Sequence, residues 1–213
     1  MSGERRKFRR EGEERRRDAL IVAALELIAE GGPGGATVRA IAERAGVTPG
    51  LIRHYFASKE DLTRAAYRAV MTALSGDNAA VLEAAPRDPL ARLSAFVAAA
   101  LRPPVVDPQR MGLWAGFIHQ VRRDPAMAAI HAETYLGYRD LLEQLIAALP
   151  GMAPDRCRQH AIACNAIIDG LWLEGCALPS AFAGGELERI GLEAAGAVLG
   201  VVLTAPAIQD IAP

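Results

Sequence analysis

Aromatic side chains are scarce in this 213-residue chain: Phe, Trp and Tyr make up only 5% of it. Cysteine is scarcer, three residues in all, with no CxxC spacing. An odd count with Cys157 and Cys164 seven apart, on one face of a helix, argues against a disulfide framework or a cysteine-built zinc site. Reduced thiols in or near a core are expected instead. Long apolar runs are also missing. The longest uncharged stretch, residues 194–209, is rich in Gly and Ala and is interrupted by Pro206, so no membrane span is expected. The N-terminus has no apolar signal core, and a cytoplasmic location is expected. No segment alternates polar and apolar residues over a useful strand length, and no repeat of about 20–50 residues is present.

Catalytic signatures are absent too. There is no GxSxG, no HExxH, no phosphate loop and no glycine fingerprint. His119, His131 and His160 have no carboxylates or cysteines arranged as ligands around them. These absences predict no catalytic residues, no metal ion, no cofactor and no enzyme. An enzyme would need a nucleophile–base or metal constellation in residues 83–203, and none is visible.

What the chain does have is helix-forming material. Half of it is hydrophobic (51%), with Ala and Leu dominant, which favours helices over strands. The net charge of −1 hides an asymmetry. Residues 1–64 hold 13 basic and 10 acidic groups, residues 65–213 hold 11 basic and 15 acidic ones. A basic front and an acidic back suit an anionic partner for the front alone.

Residues 1–17 contain eight basic and four acidic groups and one aromatic. Such a segment cannot bury itself, so a disordered basic arm over 1–12 is expected, running into a helix near Glu13. The arm is suited to neutralising phosphates or entering a minor groove, or is a solvated tail. Leu20, Ile21, Ala24, Leu25 and Ile28 repeat at helical spacing until GGPGG stops the helix. Further on, apolar periodicity predicts helices over 61–82, 89–101, 109–123, 126–149, 154–178 and 186–203, separated by Pro-, Gly- and Asp-containing breaks. The total is about nine helices in an all-α fold.

The most informative stretch is TVRAIAERAGVTPGLIRHYFASKEDL, residues 37–62. Thr37 can cap a helix with Val38, Ile41, Ala42 and Ala45 on its inner face. Gly46 supplies the left-handed residue that leaves it. Thr48 caps again, and Pro49 fits the first helical position. Two helices joined by a tight turn have the spacing of a helix-turn-helix. At about 100° per residue, Leu51, Ile52, Tyr55 and Phe56 fall on one side of the second helix and Gly50, Arg53 and His54 on the other. Arg53 is suited to bidentate donation to guanine O6 and N7, and His54 to a base edge or a phosphate. Ser58-Lys59-Glu60-Asp61 is a capping-box pattern, and Lys59 with the following helix start would suit a phosphate.

This stretch resembles the DNA-binding domain of the TetR family of bacterial transcriptional regulators. The matching residues are Thr37-Val38-Arg39-Ala40-Ile41-Ala42, Ala45-Gly46-Val47, Leu51-Ile52, Tyr55-Phe56 and Lys59-Glu60-Asp61-Leu62. The resemblance implies that Thr37, Tyr55 and Lys59 contact phosphates, and that Thr48, Pro49, Gly50, Arg53 and His54 line the major groove. The segment AIIDGLWLEG, residues 166–175, resembles the C-terminal half of the BetI-type branch. The family pattern implies a helix-turn-helix domain, here 13–60, followed by a helical ligand-binding and dimerisation domain, here 61–205. It also implies a homodimer through helices near 154–178 and 186–203.

In the larger half, Gly191, Gly196 and Gly200 with Ala194, Ala195 and Ala197 would make a smooth helix for close approach of a second subunit, and Leu192, Leu199 and Leu203 would supply its buried area. Trp114 and Phe117 are three apart, as are Tyr135 and Tyr138. With Asp169 and Trp172 they either line a pocket that holds a cation or pack in a core. The expected protein is a repressor of a palindromic operator in double-stranded DNA, released by a small-molecule effector through the helix at 59–82. The alternative is an activator or a low-specificity architectural DNA binder of the same fold.

Overall fold

The computed structural model describes the backbone of residues 2–205 and the side chains of residues 12–74 and 80–205. Among the described residues there are nine α-helices, one short 3-10 turn and no strand. The helices are α1 (Ser2–Gly35), α2 (Val38–Arg44), α3 (Pro49–Tyr55), α4 (Lys59–Ala84), α5 (Pro89–Ala100), α6 (Pro108–Val121), α7 (Pro125–Ala147), α8 (Pro154–Ala177) and α9 (Glu186–Leu199). The chain divides into two compact units, one of Met1–Met71 with Gly112–His131, the other of Thr72–Met111 with Ala132–Pro213. The division is not the contiguous one expected at residue 60. Most of α6 and the start of α7 belong with the first unit, and α4 and α7 each contribute residues to both.

In the first unit, Leu20, Ala24 and Ile28 are buried along α1, as their spacing requires. The helical run breaks within GGPGG, where Gly32 leaves helical geometry at φ 70° and ψ 179° and Pro33 follows. α1 starts earlier than expected. Its backbone is helical from Ser2, where a disordered arm over 1–12 was anticipated. The physical reason is local. Arg, Lys and Glu are good helix formers, and they make up most of residues 4–17.

α2 is tied to α1 by Arg44, which reaches both carboxylate oxygens of Glu30 (2.9 and 2.8 Å) and one of Glu26 (3.2 Å). The α6–α7 corner is held by a second charged cluster. Arg64 Nε donates to Asp124 Oδ2 (2.8 Å) and Arg64 Nη1 to Asp61 Oδ1 (3.0 Å). The other Asp124 oxygen accepts from the Ala126 N–H (2.9 Å) at the start of α7. Beneath it Tyr67 is fully buried against Phe117, ring centroids 5.2 Å apart, and its hydroxyl meets His131 Nδ1 at 2.7 Å. Phe117, a candidate pocket residue by sequence, is core here.

The second unit packs α5, α8 and α9 against one another. Leu93, Phe96, Val97, Leu142, Ile146, Ala161, Cys164, Ile168, Leu192 and Ala195 fill its core with the C-terminal end of α4. All three cysteines are buried and unpaired. The glycines of α9 do a different job from the one expected of them. A Cβ on Gly191 would stand 2.1 Å from Leu101 Cδ1, and a Cβ on Gly196 only 2.7 Å from the Val201 carbonyl oxygen. Both therefore admit neighbours within their own unit. Leu192, Leu199 and Leu203 are likewise buried inside it. α9 ends at Leu199 rather than Leu203, because Gly200 takes the left-handed conformation (φ 68°) that closes a helix.

Gly→Ala within a helix ordinarily stabilises by about 1 kcal/mol. At Gly196 the backbone contact reverses the sign. Gly196→Ala is expected to cost roughly 1–3 kcal/mol from overpacking, read as a lowered midpoint in a thermal melt. A raised midpoint would show that the carbonyl yields.

Candidate nucleic-acid interface

The turn between α2 and α3 is built by backbone hydrogen bonds. Gly46 N donates to Glu43 O (3.1 Å) and Val47 N to Ala42 O (2.9 Å). They require Gly46 to adopt φ 65°, a conformation that costs a side chain about 1–2 kcal/mol. Thr48 then stands at the N-cap of α3 in extended conformation, and Pro49 starts the helix. The Thr48 hydroxyl makes no capping bond, contrary to the capping role expected of it. Pro49 removes one of the N–H groups at the helix start, leaving fewer donors for a cap to satisfy.

α3 is two turns long, and its faces are cleanly divided. Ile52 and Phe56 are 2% and 5% exposed. Thr48, Pro49, Gly50, Arg53 and His54 are all exposed. Leu51 and Tyr55 are half-buried, and the Tyr55 ring meets the edge of the His54 ring at 5.1 Å. Tyr55 thus keeps an accessible tip above a packed ring. Arg17 lies over the Phe56 ring, 5.1 Å from its centroid, a contact with no counterpart in the reading of the sequence. Thr37 is exposed, and its hydroxyl caps α2 by accepting from Ala40 N (3.1 Å). Ser58 Oγ accepts from Asp61 N (3.1 Å), opening α4 with Lys59 in its first turn. A cleft of about 270 Å³ beside Lys59 is also lined by Glu60 and Asp124. Two carboxylates to one ammonium make it a poor anion pocket.

The arrangement can do one thing well. A short helix on a packed base presents a side-chain-free Gly50, a guanidinium and an imidazole outward, with a lysine and a helix N-terminus nearby. Base edges and phosphates are what such groups recognise.

The six candidate pocket residues divide between the units. Trp114 and Phe117 belong to the first; Tyr135, Tyr138, Asp169 and Trp172 to the second. The Tyr135 hydroxyl donates to Asp169 Oδ2 (2.5 Å), and Asn165 Nδ2 reaches the Tyr135 oxygen (2.6 Å) and the same carboxylate (2.9 Å). Asn165 was missed in the sequence, although its i,i+4 spacing to Asp169 on an apolar helix was a usable signal. Tyr138 stacks at a tilt on Phe96, centroids 4.9 Å apart. The Trp172 indole donates to the Val105 carbonyl (3.0 Å), which gives it a structural task. Burial pushes the Asp169 carboxyl above its ordinary value, opposed by the hydrogen bonds from Tyr135 and Asn165. Tyr135 is pushed up to about 12, first by burial and then by Asp169. Tyr138 Oη, Asn165 Oδ1 and Arg139 Nε are buried without a hydrogen-bond partner among the described residues.

Two family models match the chain. Residues 20–66 match bacterial regulatory proteins of the tetR family, and residues 89–200 match the C-terminal part of BetI-type transcriptional repressors. The chain belongs to the TetR family. An HTH-type transcriptional regulator BetI from Burkholderia thailandensis is 36% identical over 174 residues, covering 81% of this chain and 85% of that one. The crystal structure of a transcriptional regulator from Pseudomonas aeruginosa PAO1 superposes with a TM-score of 0.81 at 32% identity, covering 88% and 91% of the two chains. A regulator from Rhodococcus does so with a TM-score of 0.70 at 26% identity. TetR-family proteins are not enzymes; they bind DNA, act as dimers and respond to small molecules. This chain is accordingly a BetI-type repressor with a helix-turn-helix, and no helix among the described residues is long and apolar enough to cross a membrane.

The pH dependence of stability tests the polar cluster. A carboxyl whose folded pKa is raised holds its proton more tightly folded than unfolded. Its penalty is absent below the unfolded value of about 3.9 and complete above the folded one. Asp169→Asn is therefore expected to raise the thermal midpoint at pH 7, with the gain vanishing near pH 3. A midpoint lowered equally at both pH values would mean that the carboxylate is structural.

Proposed function

We propose that this repressor acts as a homodimer on a palindromic operator, with α3 of each subunit in a major groove, and that a small cation in the second unit releases it. The observation that carries the DNA-binding half is the division of α3: Ile52 and Phe56 buried, Thr48, Pro49, Gly50, Arg53 and His54 outside. Arg53 and His54 read base edges. Gly50, without a side chain, lets the backbone approach the groove floor, and Thr48 and Pro49 line the groove beside it. Thr37, Tyr55 and Lys59 meet phosphates on either side.

The dimer reading is supported by α8. Ile162, Leu173 and Leu178 are 43%, 48% and 58% exposed. Ala166, Gly170 and Ala177 are also exposed and fall on the face of Ile162 and Leu173 by helical spacing. Ala197 of α9 is exposed, with Ile190 and Ala194 half-buried. A second copy covering these surfaces accounts for apolar area that solvent would otherwise face.

The effector reading rests on Asp169, a carboxylate held by Tyr135 and Asn165, and on polar atoms of Tyr138 and Asn165 left for a ligand to satisfy. A regulator from Saccharomonospora viridis, 18% identical with a TM-score of 0.68, was crystallised with choline. A small quaternary or primary ammonium ion is the chemistry that Asp169 and the surrounding aromatic rings suit. α4 supplies residues to both units and is the coupling element in this scheme. Coupling of this kind requires the effector to bind the DNA-free state more tightly.

A footprint on the region upstream of the protein's own gene tests the scheme. Wild type is expected to protect two half-sites about 34–36 Å apart, and choline to lift the protection. Arg53→Ala is expected to lose about 1–3 kcal/mol at one base pair per half-site, while Asp169→Asn keeps the footprint and loses the release. Equal losses by Arg53→Ala on operator and random DNA would show that Arg53 reads no base. In light scattering, wild type is expected as a dimer and Leu173→Glu as a monomer; a monomeric wild type ends the palindrome model.

A further inference from the structure

The polar cluster of the second unit holds both hydrogen-bond donors and acceptors, and some of each kind are left over. Tyr135, Tyr138 and Arg139 stand three and four residues apart on α7, and Asn165 and Asp169 four apart on α8. Such spacings put each set on one face of its helix. All five residues belong to the second unit.

The direction of each bond fixes which atoms remain. Asp169 Oδ2 accepts from the Tyr135 hydroxyl (2.5 Å) and from Asn165 Nδ2 (2.9 Å). The Tyr135 proton is thus committed to the carboxylate, and the Tyr135 oxygen accepts from the same Asn165 nitrogen (2.6 Å). Both neighbours of Asn165 need a donor, so its nitrogen faces them and its Oδ1 faces elsewhere. That oxygen has no hydrogen-bond partner among the described residues, on a side chain only 3% exposed. Two donors are left over on α7, the Tyr138 hydroxyl and the Arg139 Nε–H, both buried.

Charge divides the same way. Burial and then the Asp169 charge hold the Tyr138 hydroxyl above its ordinary value. Burial and Asp169 raise Tyr135, and the Arg139 guanidinium opposes that rise. Both charges therefore reach the cluster. A bare cation there is attracted by Asp169 and repelled by Arg139. A quaternary ammonium also brings no N–H for Asn165 Oδ1.

We propose that the effector is a small linear zwitterion: an ammonium that donates N–H bonds to Asp169 and Asn165 Oδ1, joined to a carboxylate that accepts from Tyr138 Oη and Arg139 Nε. This rests on the reading of the Asp169 cluster as the effector site. One such molecule meets every leftover donor and acceptor, and Arg139 attracts it instead of opposing it. Choline fills only the cationic half and acts at higher concentration.

The test is calorimetric titration of the full-length protein with glycine, β-alanine, 4-aminobutyrate and 5-aminovalerate, each beside the alkylamine that lacks its carboxylate. At least one amino acid is expected to bind about tenfold or more tighter than its amine, as a charge-assisted hydrogen bond implies. Tyr138→Phe, which keeps the ring on Phe96, and Arg139→Met are each expected to weaken that amino acid and not its amine. Amino acids that bind no better than their amines, or variants that weaken both alike, overturn the zwitterion. Choline that does not bind, or that binds Asp169→Asn as well as wild type, would instead sink the effector site itself.

Discussion

The outward face of α3, the surface proposed to read DNA, depends on the burial of two side chains, Ile52 and Phe56. A seven-residue helix has too few internal hydrogen bonds to stand alone in water. Its geometry is borrowed from what it packs on. By going under, Ile52 and Phe56 fix the rotation of α3 about its own axis, and that rotation alone decides that Gly50, Arg53 and His54 face outward. The Gly46 corner sets where the helix starts, and Arg44, clamped by Glu26 and Glu30, holds α2 on α1 beneath it. A change at these supporting positions would damage DNA recognition without touching a nucleotide.

The recognition element was legible in the sequence because each of its signals is local. A cap, a left-handed glycine, an N-terminal proline and a period of 3.6 all act within a few residues. Other features were hidden because they depend on what lies across space. Periodicity shows that α6 has a buried face, but not that Phe117 meets Tyr67. The glycines of α9 advertise close approach, but not whether Leu101 and the Val201 carbonyl or another subunit fills the space. Asn165 looks like a solvated amide until Tyr135 arrives from α7. The early start of α1 was obscured for a different reason: a segment with almost no apolar residues has no hydrophobic period to detect, and only the helix propensity of its Arg, Lys and Glu favours that backbone.

The cluster around Asp169 runs against economy. A helix core could hold apolar side chains there at less cost than a half-buried carboxylate, an amide with an idle oxygen and a tyrosine with an unmatched hydroxyl. Three orphaned polar atoms, on Tyr138 and Arg139 of α7 and Asn165 of α8, are hard to reconcile with simple packing. A polar guest is the economical account of them. Trp172 and Phe117 show the contrast, since each is fully employed by the fold itself.

The shortness of α3 has a consequence for information. Seven residues at 1.5 Å each give about 10 Å of helix, which spans about three steps of a duplex stacked at 3.4 Å. A word of three letters recurs constantly in any genome and cannot mark one address. In the proposed dimer, discrimination comes from meeting the same word twice at a fixed interval, so the ruler that sets the interval carries as much of the message as the helix that meets the letters.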